Sequence, residues 1–222
     1  MGFIVAVDGT AGSGKGSVTK VVAERLNLVT IDTGAMYRCV TLAMLEQNIG
    51  TEEIDKIAEI LKDIKIEFVD EGPEKKVFLN GKDVTLQIRS KEVTEFVSPV
   101  ATIKIVREHM AELQREMAKS IDVIMEGRDI GTNVFPNADV KIYLDASAEE
   151  RAERRFRQNK ENGIDIPFEE ILKNVKERDY IDSHREIAPL TKAPDAVYID
   201  STGMTVEEEV EAVIKVINEK RK

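Results

Sequence analysis

The sequence has few of the residues that build several common kinds of site. It contains no tryptophan, one cysteine (Cys39) and two histidines among 222 residues. A single cysteine allows neither an intramolecular disulfide nor a cysteine cage for zinc, which is typical of proteins from a reducing compartment. No apolar run approaches the roughly 20 residues that cross a bilayer, and the amino terminus lacks the basic flank of a signal peptide. We therefore expect a cytoplasmic protein without a membrane partner.

Positive charge is also in the minority. Lysine and arginine number 32 against 42 aspartates and glutamates, which gives a net charge of −10. Such a chain does not adhere unspecifically to nucleic acid, so we expect no nucleic-acid partner, and any bound polyanion must meet a local basic site. With 42% apolar and 33% charged residues, the composition is typical of a folded globular protein. We expect it to act as a monomer.

Five short apolar runs, rich in valine and isoleucine, predict buried parallel strands. They are residues 3–8, 28–32, 121–126, 140–145 and 196–200. The segments between them carry apolar residues at helical spacing. This alternation predicts an α/β fold with a five-stranded parallel sheet flanked by helices.

Two segments interrupt the alternation. Residues 64–88 alternate in polarity around the turn signals Glu71-Gly72-Pro73 and Asn80-Gly81, which predicts a small antiparallel insert. Residues 149–186 are dense in charge and carry Asn162-Gly163 between two helical patterns. This second segment is typical of a mobile helical hairpin that covers a site.

A glycine-rich loop follows the first strand and opens a helix. It reads Gly9-Thr10-Ala11-Gly12-Ser13-Gly14-Lys15-Gly16-Ser17, a phosphate-binding loop in its required context. Its N–H groups and the helix N-terminus attract phosphate, and Lys15 neutralises the β- and γ-phosphates, so we expect all nine residues to bind ATP. The strict pattern places Ser or Thr directly after the lysine, whereas here Gly16 comes before Ser17. Ser17 is the candidate magnesium ligand, either directly or through water.

Arginines stand where a second phosphate would lie. Arg38 follows the second strand, Arg128 follows the third, and Arg178 and Arg185 end the charged hairpin. Ligands bind at the carboxyl ends of the strands in open α/β sheets. Phosphoryl transfer requires positioning and charge neutralisation, and an acceptor that is already a phosphate dianion needs no catalytic base. The Asn-Lys-x-Asp motif of a GTPase is missing from the sequence. Together with the arginines, this absence predicts a small phosphoryl-transfer enzyme.

Taken together, the motifs resemble bacterial cytidylate kinases, and the match spans nearly the whole chain. It rests on residues 9–17, 32–38, 106–108, 127–136, 140–146 and 178–190. The resemblance implies a P-loop kinase fold that transfers the ATP γ-phosphate to CMP or dCMP with Mg²⁺, giving ADP and CDP or dCDP. It also implies a domain order: core 1–35, NMP-binding domain 36–100 with its insert, core 101–150, lid and adjoining helix 151–186, and core 187–222.

The resemblance assigns roles in acceptor binding. Arg38, Arg128 and Arg185 would bind the phosphate of CMP, while Arg178 and Asp182 would hold its sugar.

Other residues are assigned to the base and to the transferred group. Those expected to face the base are Thr33, Ser98, Arg107 and Asp129. Arg151 and Arg155, four residues apart on one helix face, would reach the transferring phosphoryl group, with Lys15 and Arg128 as further catalytic residues. Glu126, where other members carry aspartate, would hold water on magnesium.

The base contacts agree with the chemistry of cytosine, which offers an amino donor beside a ring-nitrogen acceptor. A carboxylate at Asp129 and a guanidinium at Arg107 complement this pair, whereas uracil reverses both groups. Two alternatives stay open at this level. One is a related kinase that acts on UMP, AMP or shikimate, and the other is a regulatory module that binds ATP without turnover.

Overall fold

The computed structural model describes residues 2–71, 74–161 and 163–221. The chain divides into two compact units: the first unit is Met1–Thr30 with Met117–Lys222, and the second unit is Ile31–Glu116. The five-part domain division expected from the resemblance is finer than this one and stays a prediction.

Eight strands and eight α-helices occur in the part of the chain that the structure describes. The strands are β1 (Ile4–Asp8), β2 (Val29–Asp32), β3 (Ile66–Glu71), β4 (Glu74–Leu79), β5 (Lys82–Asp83), β6 (Val123–Gly127), β7 (Val140–Asp145) and β8 (Val197–Asp200). The helices are α1 (Lys15–Leu26), α2 (Thr33–Glu46), α3 (Ile54–Asp63), α4 (Lys91–Val100), α5 (Lys104–Met117), α6 (Ala148–Glu161), α7 (Phe168–His184) and α8 (Val206–Lys220). Short turns of 3-10 helix and π-helix lie at Gln87–Arg89 and Ile130–Val134.

The larger sheet has five strands in the order β2-β6-β1-β7-β8. β1 pairs in parallel with β6 on one side and with β7 on the other, and β7 pairs in parallel with β8. Every residue of β1 is buried, as expected for a strand covered by helices on both faces. The predicted fold class is confirmed. Parallel pairing also brings the carboxyl ends of β1, β6 and β7 to one edge of the sheet, where ligands bind in this class.

The core of the first unit lies between the sheet and helices α1 and α8. Its buried side chains include Val5, Val7, Ile124, Ile142 and Leu144 of the strands, with Val18 and Val22 of α1 and Val210, Val213 and Ile217 of α8. Each fully buried aliphatic side chain stabilises the fold by about 1.5–3 kcal/mol. This packing fixes the position at which α1 begins, at Lys15 within the glycine-rich loop.

The second unit contains α2 to α5 and a small antiparallel sheet in the order β3-β4-β5. The sheet lies within residues 64–88, so the predicted insert is confirmed. Asn80 and Gly81 have φ values of 50° and 80°, the left-handed backbone that a tight hairpin turn requires. The other predicted turn residues, Gly72 and Pro73, lie outside the described residues.

The charged segment forms a helical hairpin of α6 and α7, as its pattern predicts. Asn162 of the predicted connection lies outside the described residues, and Gly163 beside it has a left-handed backbone with φ of 71°. Within the described ranges, no helix combines the length and the hydropathy that crossing a bilayer demands. Movement of the hairpin as a lid stays a prediction.

Candidate active site

The glycine-rich loop connects β1 to α1 and adopts a positive-φ backbone, which favours glycine, at three of its positions, Gly9, Gly12 and Gly14. At Gly9, φ is 151°, and a Cβ would lie 1.9 Å from the carbonyl oxygen of Leu144. At Gly14, φ is 91°, and a Cβ would lie 2.8 Å from Oε2 of Glu209. Because Gly14 directly precedes the first turn of α1, the loop presents free N–H groups and the positive end of the helix dipole, both of which attract phosphate.

Hydrogen bonds to neighbouring elements hold the loop in place. The hydroxyl of Thr10 donates to Oδ1 of Asp145 at 2.5 Å. The carbonyl oxygen of Ala11 accepts from Nη1 of Arg151 at 3.1 Å. These contacts tie the loop to the end of β7 and to α6, so its shape is set by the surrounding fold as well as by its own glycines.

Lys15 lies inside the loop and is 4% exposed. Its Nζ donates to the carbonyl oxygens of Gly9 and Thr10 at 2.9 and 2.6 Å and to Oγ of Ser13 at 3.2 Å. Burial, followed by the positive charge of Arg128, lowers the pKa of Lys15 to about 7. A lysine held at this point can place a positive charge against the phosphates of a nucleotide.

Two carboxylates flank the loop at the ends of β1 and β6. Asp8 accepts backbone N–H bonds from Ile130 and Gly131, both at 2.7 Å, and burial raises its pKa to about 6. Glu126 lies beside the start of α1, where a Cβ on Gly16 would be 3.0 Å from its Oε1. Asp8 is absent from the residues singled out in the sequence. Its signal there is a charged residue that closes an apolar strand directly before the loop.

Arginine–carboxylate pairs surround this edge of the sheet. Nε of Arg128 donates to Oδ2 of Asp182 at 2.9 Å. Nη1 and Nη2 of Arg151 donate to the two carboxylate oxygens of Asp179 at 3.0 and 2.5 Å. Such charge-assisted and bidentate bonds fix the guanidinium plane. The predicted catalytic residues Lys15, Arg128 and Arg151 therefore all lie in the first unit, and hydrogen bonds hold each side chain in place.

Four of the five residues predicted for the sugar and the acceptor phosphate lie in one cluster with Asp129; they are Arg128, Arg178, Asp182 and Arg185. Nη2 of Arg185 donates to Oδ1 of Asp129 at 3.3 Å. Burial disfavours the charged form of Asp182, yet the positive charges of Arg128, Arg178 and Arg185 hold its pKa below the ordinary value. The structure thus brings together five of the residues that the resemblance assigned to CMP.

Arg151 and Arg155, which were predicted to act together, differ in burial on α6. Arg151 is buried, whereas Arg155 is exposed. Arg154, which the sequence analysis did not single out, turns toward the loop: its Nη2 lies 3.0 Å from Oε1 of Glu209 and donates to the carbonyl oxygen of Ser201 at 3.0 Å. Glu209 is 1% exposed, so this pair is part of the support beneath the loop.

The remaining predicted residues lie in the second unit. They are Thr33 at the start of α2, Arg38 in α2, Ser98 in α4 and Arg107 in α5. Nη1 of Arg38 donates to Oγ1 of Thr94 at 3.0 Å. Nη1 of Arg107 donates to the carbonyl oxygen of Ala101 at 3.1 Å, and its guanidinium lies 5.5 Å from the ring centre of Tyr37. Both guanidinium groups are therefore ordered by contacts within their own unit.

Comparison with known proteins gives a consistent picture. The family model described as cytidylate kinase matches residues 5–219. A cytidylate kinase of Ligilactobacillus salivarius (strain UCC118) is 47% identical over 216 residues, covering 97% of this chain and 96% of the relative. A cytidylate kinase of Bacillus cytotoxicus is 48% identical over 215 residues, covering 97% and 96%. A crystal structure of an uncharacterized protein from Eubacterium ventriosum ATCC 27560 has a TM-score of 0.52 at 12% identity, covering 97% of this chain and 98% of that one, and this likeness concerns the fold alone.

Proposed function

The chain belongs to the cytidylate kinase family, and we propose from this premise that it transfers the γ-phosphoryl group of ATP to CMP and dCMP. In this reaction a phosphate oxygen of CMP forms a bond to the γ-phosphorus, while the bond between that phosphorus and the bridging oxygen of ADP breaks. The products are ADP and CDP or dCDP. The acceptor oxygen is already ionised, so the reaction does not require a catalytic base.

The observation that carries the proposal is the ordered set of cations around the phosphate-binding loop. Lys15 lies inside the loop, and Arg128 and Arg151 are each fixed by a carboxylate of α7. Phosphoryl transfer passes through a loose transition state whose charge is spread over the equatorial oxygens. Cations that are positioned in advance stabilise this charge without having to reorganise during the reaction. We assign Lys15 to the donor phosphates, and Arg128, Arg151 and Arg155 to the transferred group.

The acceptor residues keep the roles that the resemblance implies. Arg38, Arg128 and Arg185 bind the acceptor phosphate, and Arg178 and Asp182 bind the sugar. The base is bound by Thr33, Ser98, Arg107 and Asp129. The burial of Asp129 and Arg107, at 4% and 2% exposure, supports selectivity, because a buried polar group that meets the wrong edge of a base costs about 1–3 kcal/mol.

The residues around the loop suit a magnesium ion. Ser17 is exposed in the first turn of α1, and Glu126 lies beside Gly16; hydroxyl and carboxylate oxygens are the hard donors that Mg²⁺ prefers. Among the described residues, no group of three acidic, histidine or cysteine side chains forms a metal cage. Mg²⁺ needs none, since it keeps several waters and binds substrate phosphates. Ser17, directly or through water, would hold the ion, and Glu126 would hold water bound to it. The ion would supply further neutralisation of the phosphate charge.

A coupled ADP-release assay tests the proposal. Purified protein with ATP and Mg²⁺ is offered CMP, dCMP, UMP, AMP, GMP, dTMP and shikimate, with Lys15→Ala as the inactive control. We expect turnover on CMP and dCMP far above that on the other acceptors. Turnover on a different acceptor would overturn the base assignments, and ATP binding without turnover on any acceptor would overturn the kinase activity. The cytoplasmic location and the monomeric state stay predictions.

A further inference from the structure

The carboxylate of Asp8 joins the phosphate-binding loop to the segment that carries Arg128 and Asp129. Asp8 is the last residue of β1 and is 4% exposed. Its Oδ1 accepts a hydrogen bond from the backbone N–H of Ile130, and its Oδ2 accepts one from Gly131, both at 2.7 Å. One side chain therefore binds the two residues that directly follow Asp129.

These two N–H groups begin the π-helical turn Ile130–Val134. The first N–H groups of a helix have no partner within the helix, and here a carboxylate from another strand supplies both acceptors. An ionised aspartate has two acceptor oxygens, whereas asparagine offers one oxygen and an NH₂ donor. The arrangement is thus specific for a carboxylate, because the NH₂ of an asparagine would face a second donor.

The far end of the same segment is held as well. A Cβ on Gly131 would lie 3.3 Å from Oδ2 of Asp8 and 3.2 Å from Cδ of Lys141. Nζ of Lys141 donates to the carbonyl oxygen of Pro136 at 2.5 Å and to both carboxylate oxygens of Asp195 at 2.9 Å. Pro136 is held by Lys141, and β6 is paired with β1 up to Gly127. The bonds to Asp8 hold the backbone between these two points, which carries Arg128 and Asp129.

Asp8 interacts electrostatically with Lys15 of the phosphate-binding loop and with Asp129. Burial raises the pKa of Asp8 to about 6, and the negative charge of Asp129 adds to this effect, while the two N–H bonds and the positive charge of Lys15 oppose it. Asp8 is thus a buried carboxylate whose pKa is shifted by burial and by its charged neighbours. Groups of this kind occur preferentially at functional sites.

We propose that Asp8 is a positioning residue for acceptor recognition, whose carboxylate fixes the backbone of Ile130 and Gly131 so that Arg128 and Asp129 keep their orientation toward the phosphate-binding loop. The inference rests on the proposed function, which gives Arg128 and Asp129 their roles in binding CMP.

The test compares Asp8→Asn with Asp139→Asn. Asp139 makes the same kind of bond, accepting the backbone N–H of Ile4 at 2.7 Å, but at the opposite end of β1. For Asp8→Asn we expect kcat/KM for CMP to fall by about tenfold or more. The CMP/UMP ratio of kcat/KM should fall by about fivefold or more. The reason is that an unpaired buried N–H costs about 1–3 kcal/mol, which corresponds to a factor of about 5–150. The KM for ATP should stay within about threefold, and Asp139→Asn should leave the CMP/UMP ratio unchanged.

Hydrogen exchange of the amides of Ile130 and Gly131, followed by NMR, gives a second readout that needs no substrate. We expect both amides to exchange faster in Asp8→Asn than in the wild type. Should that variant not fold, Asp8→Ser, which retains one acceptor, takes the same tests. An unchanged CMP/UMP ratio in a folded Asp8 variant would overturn the positioning role, as would unchanged amide exchange. If the wild type does not phosphorylate CMP, the proposed function fails, and the exchange result still decides whether Asp8 holds the segment.

Discussion

The binding of ATP should become weaker with rising pH, because Lys15 loses its charge near neutrality. Burial and the neighbouring Arg128 lower the pKa of this lysine to about 7. Bound phosphates favour the ammonium form, so the pKa of Lys15 rises when ATP binds. Protons are therefore taken up on binding above pH 7, and by linkage the affinity falls as the pH increases.

The magnitude follows from the pKa of the free protein. With a pKa of about 7, half of the molecules carry a charged Lys15 at pH 7 and roughly one in a hundred at pH 9. If only the charged form binds ATP tightly, the dissociation constant increases by about 50-fold between these two values. Asp8, whose pKa is raised to about 6, remains largely ionised over this range, so it contributes little to the change.

Titration calorimetry with Mg²⁺ and ATP at several pH values measures this effect directly. At pH 8 the binding heat should depend on the ionisation enthalpy of the buffer, corresponding to an uptake of roughly 0.9 proton per ATP. The matched control is Lys15→Gln, which carries no charge at any pH and should bind weakly without a pH slope. A wild-type affinity that stays constant from pH 7 to 9, with no buffer-dependent heat, would refute the argument from burial.

Further changes test the base contact, the support of the loop and the lid. Asp129→Ala should lower the CMP/UMP ratio of kcat/KM by about tenfold, since the amino group of cytosine loses its acceptor; an unchanged ratio contradicts the role. Glu209→Ala removes a buried partner of an arginine and should cost about 1–3 kcal/mol, which corresponds to a decrease in Tm of roughly 2–12 °C for a chain of this length. By contrast, Glu207→Ala breaks an exposed pair worth under about 1 kcal/mol. Equal decreases in Tm would count against the loop support. Hydrogen exchange over residues 149–186 should slow when both substrates are present, and no change would exclude lid closure.

The phosphate-binding loop could be predicted from the sequence because its signal is local. Glycines and a lysine at fixed spacing, between an apolar run and a helical pattern, determine the loop with few competing interpretations. The five strands of the larger sheet could also be predicted from their apolar runs. However, β6 begins at Val123, two residues after the predicted start. Apolar patterning reports burial, and the hydrogen-bonded ladder begins only where a partner strand lies alongside.

The pairing of charges could not be predicted in the same way. Arg128 bonds to Asp182, 54 residues away, and Arg151 bonds to Asp179, 28 residues away. Helical spacing places Arg151 and Arg155 on one face, yet only the tertiary packing of α6 decides that the first is buried and the second exposed. Sequence reasoning therefore identified the types of residue that the chemistry needs but not the carboxylates that orient them.

These carboxylates explain how an acidic protein can bind polyanions. Arg128, Arg151 and Arg185 each bond to a carboxylate in the first unit, so local charge is nearly balanced although the net charge is −10. A guanidinium carries five donors in a rigid fork, and one carboxylate occupies only part of them. The partner thus fixes the direction of the guanidinium plane, so that phosphate oxygens meet a cation that is already oriented. Replacing such a carboxylate should weaken catalysis by loss of orientation, even though it makes the site more positive.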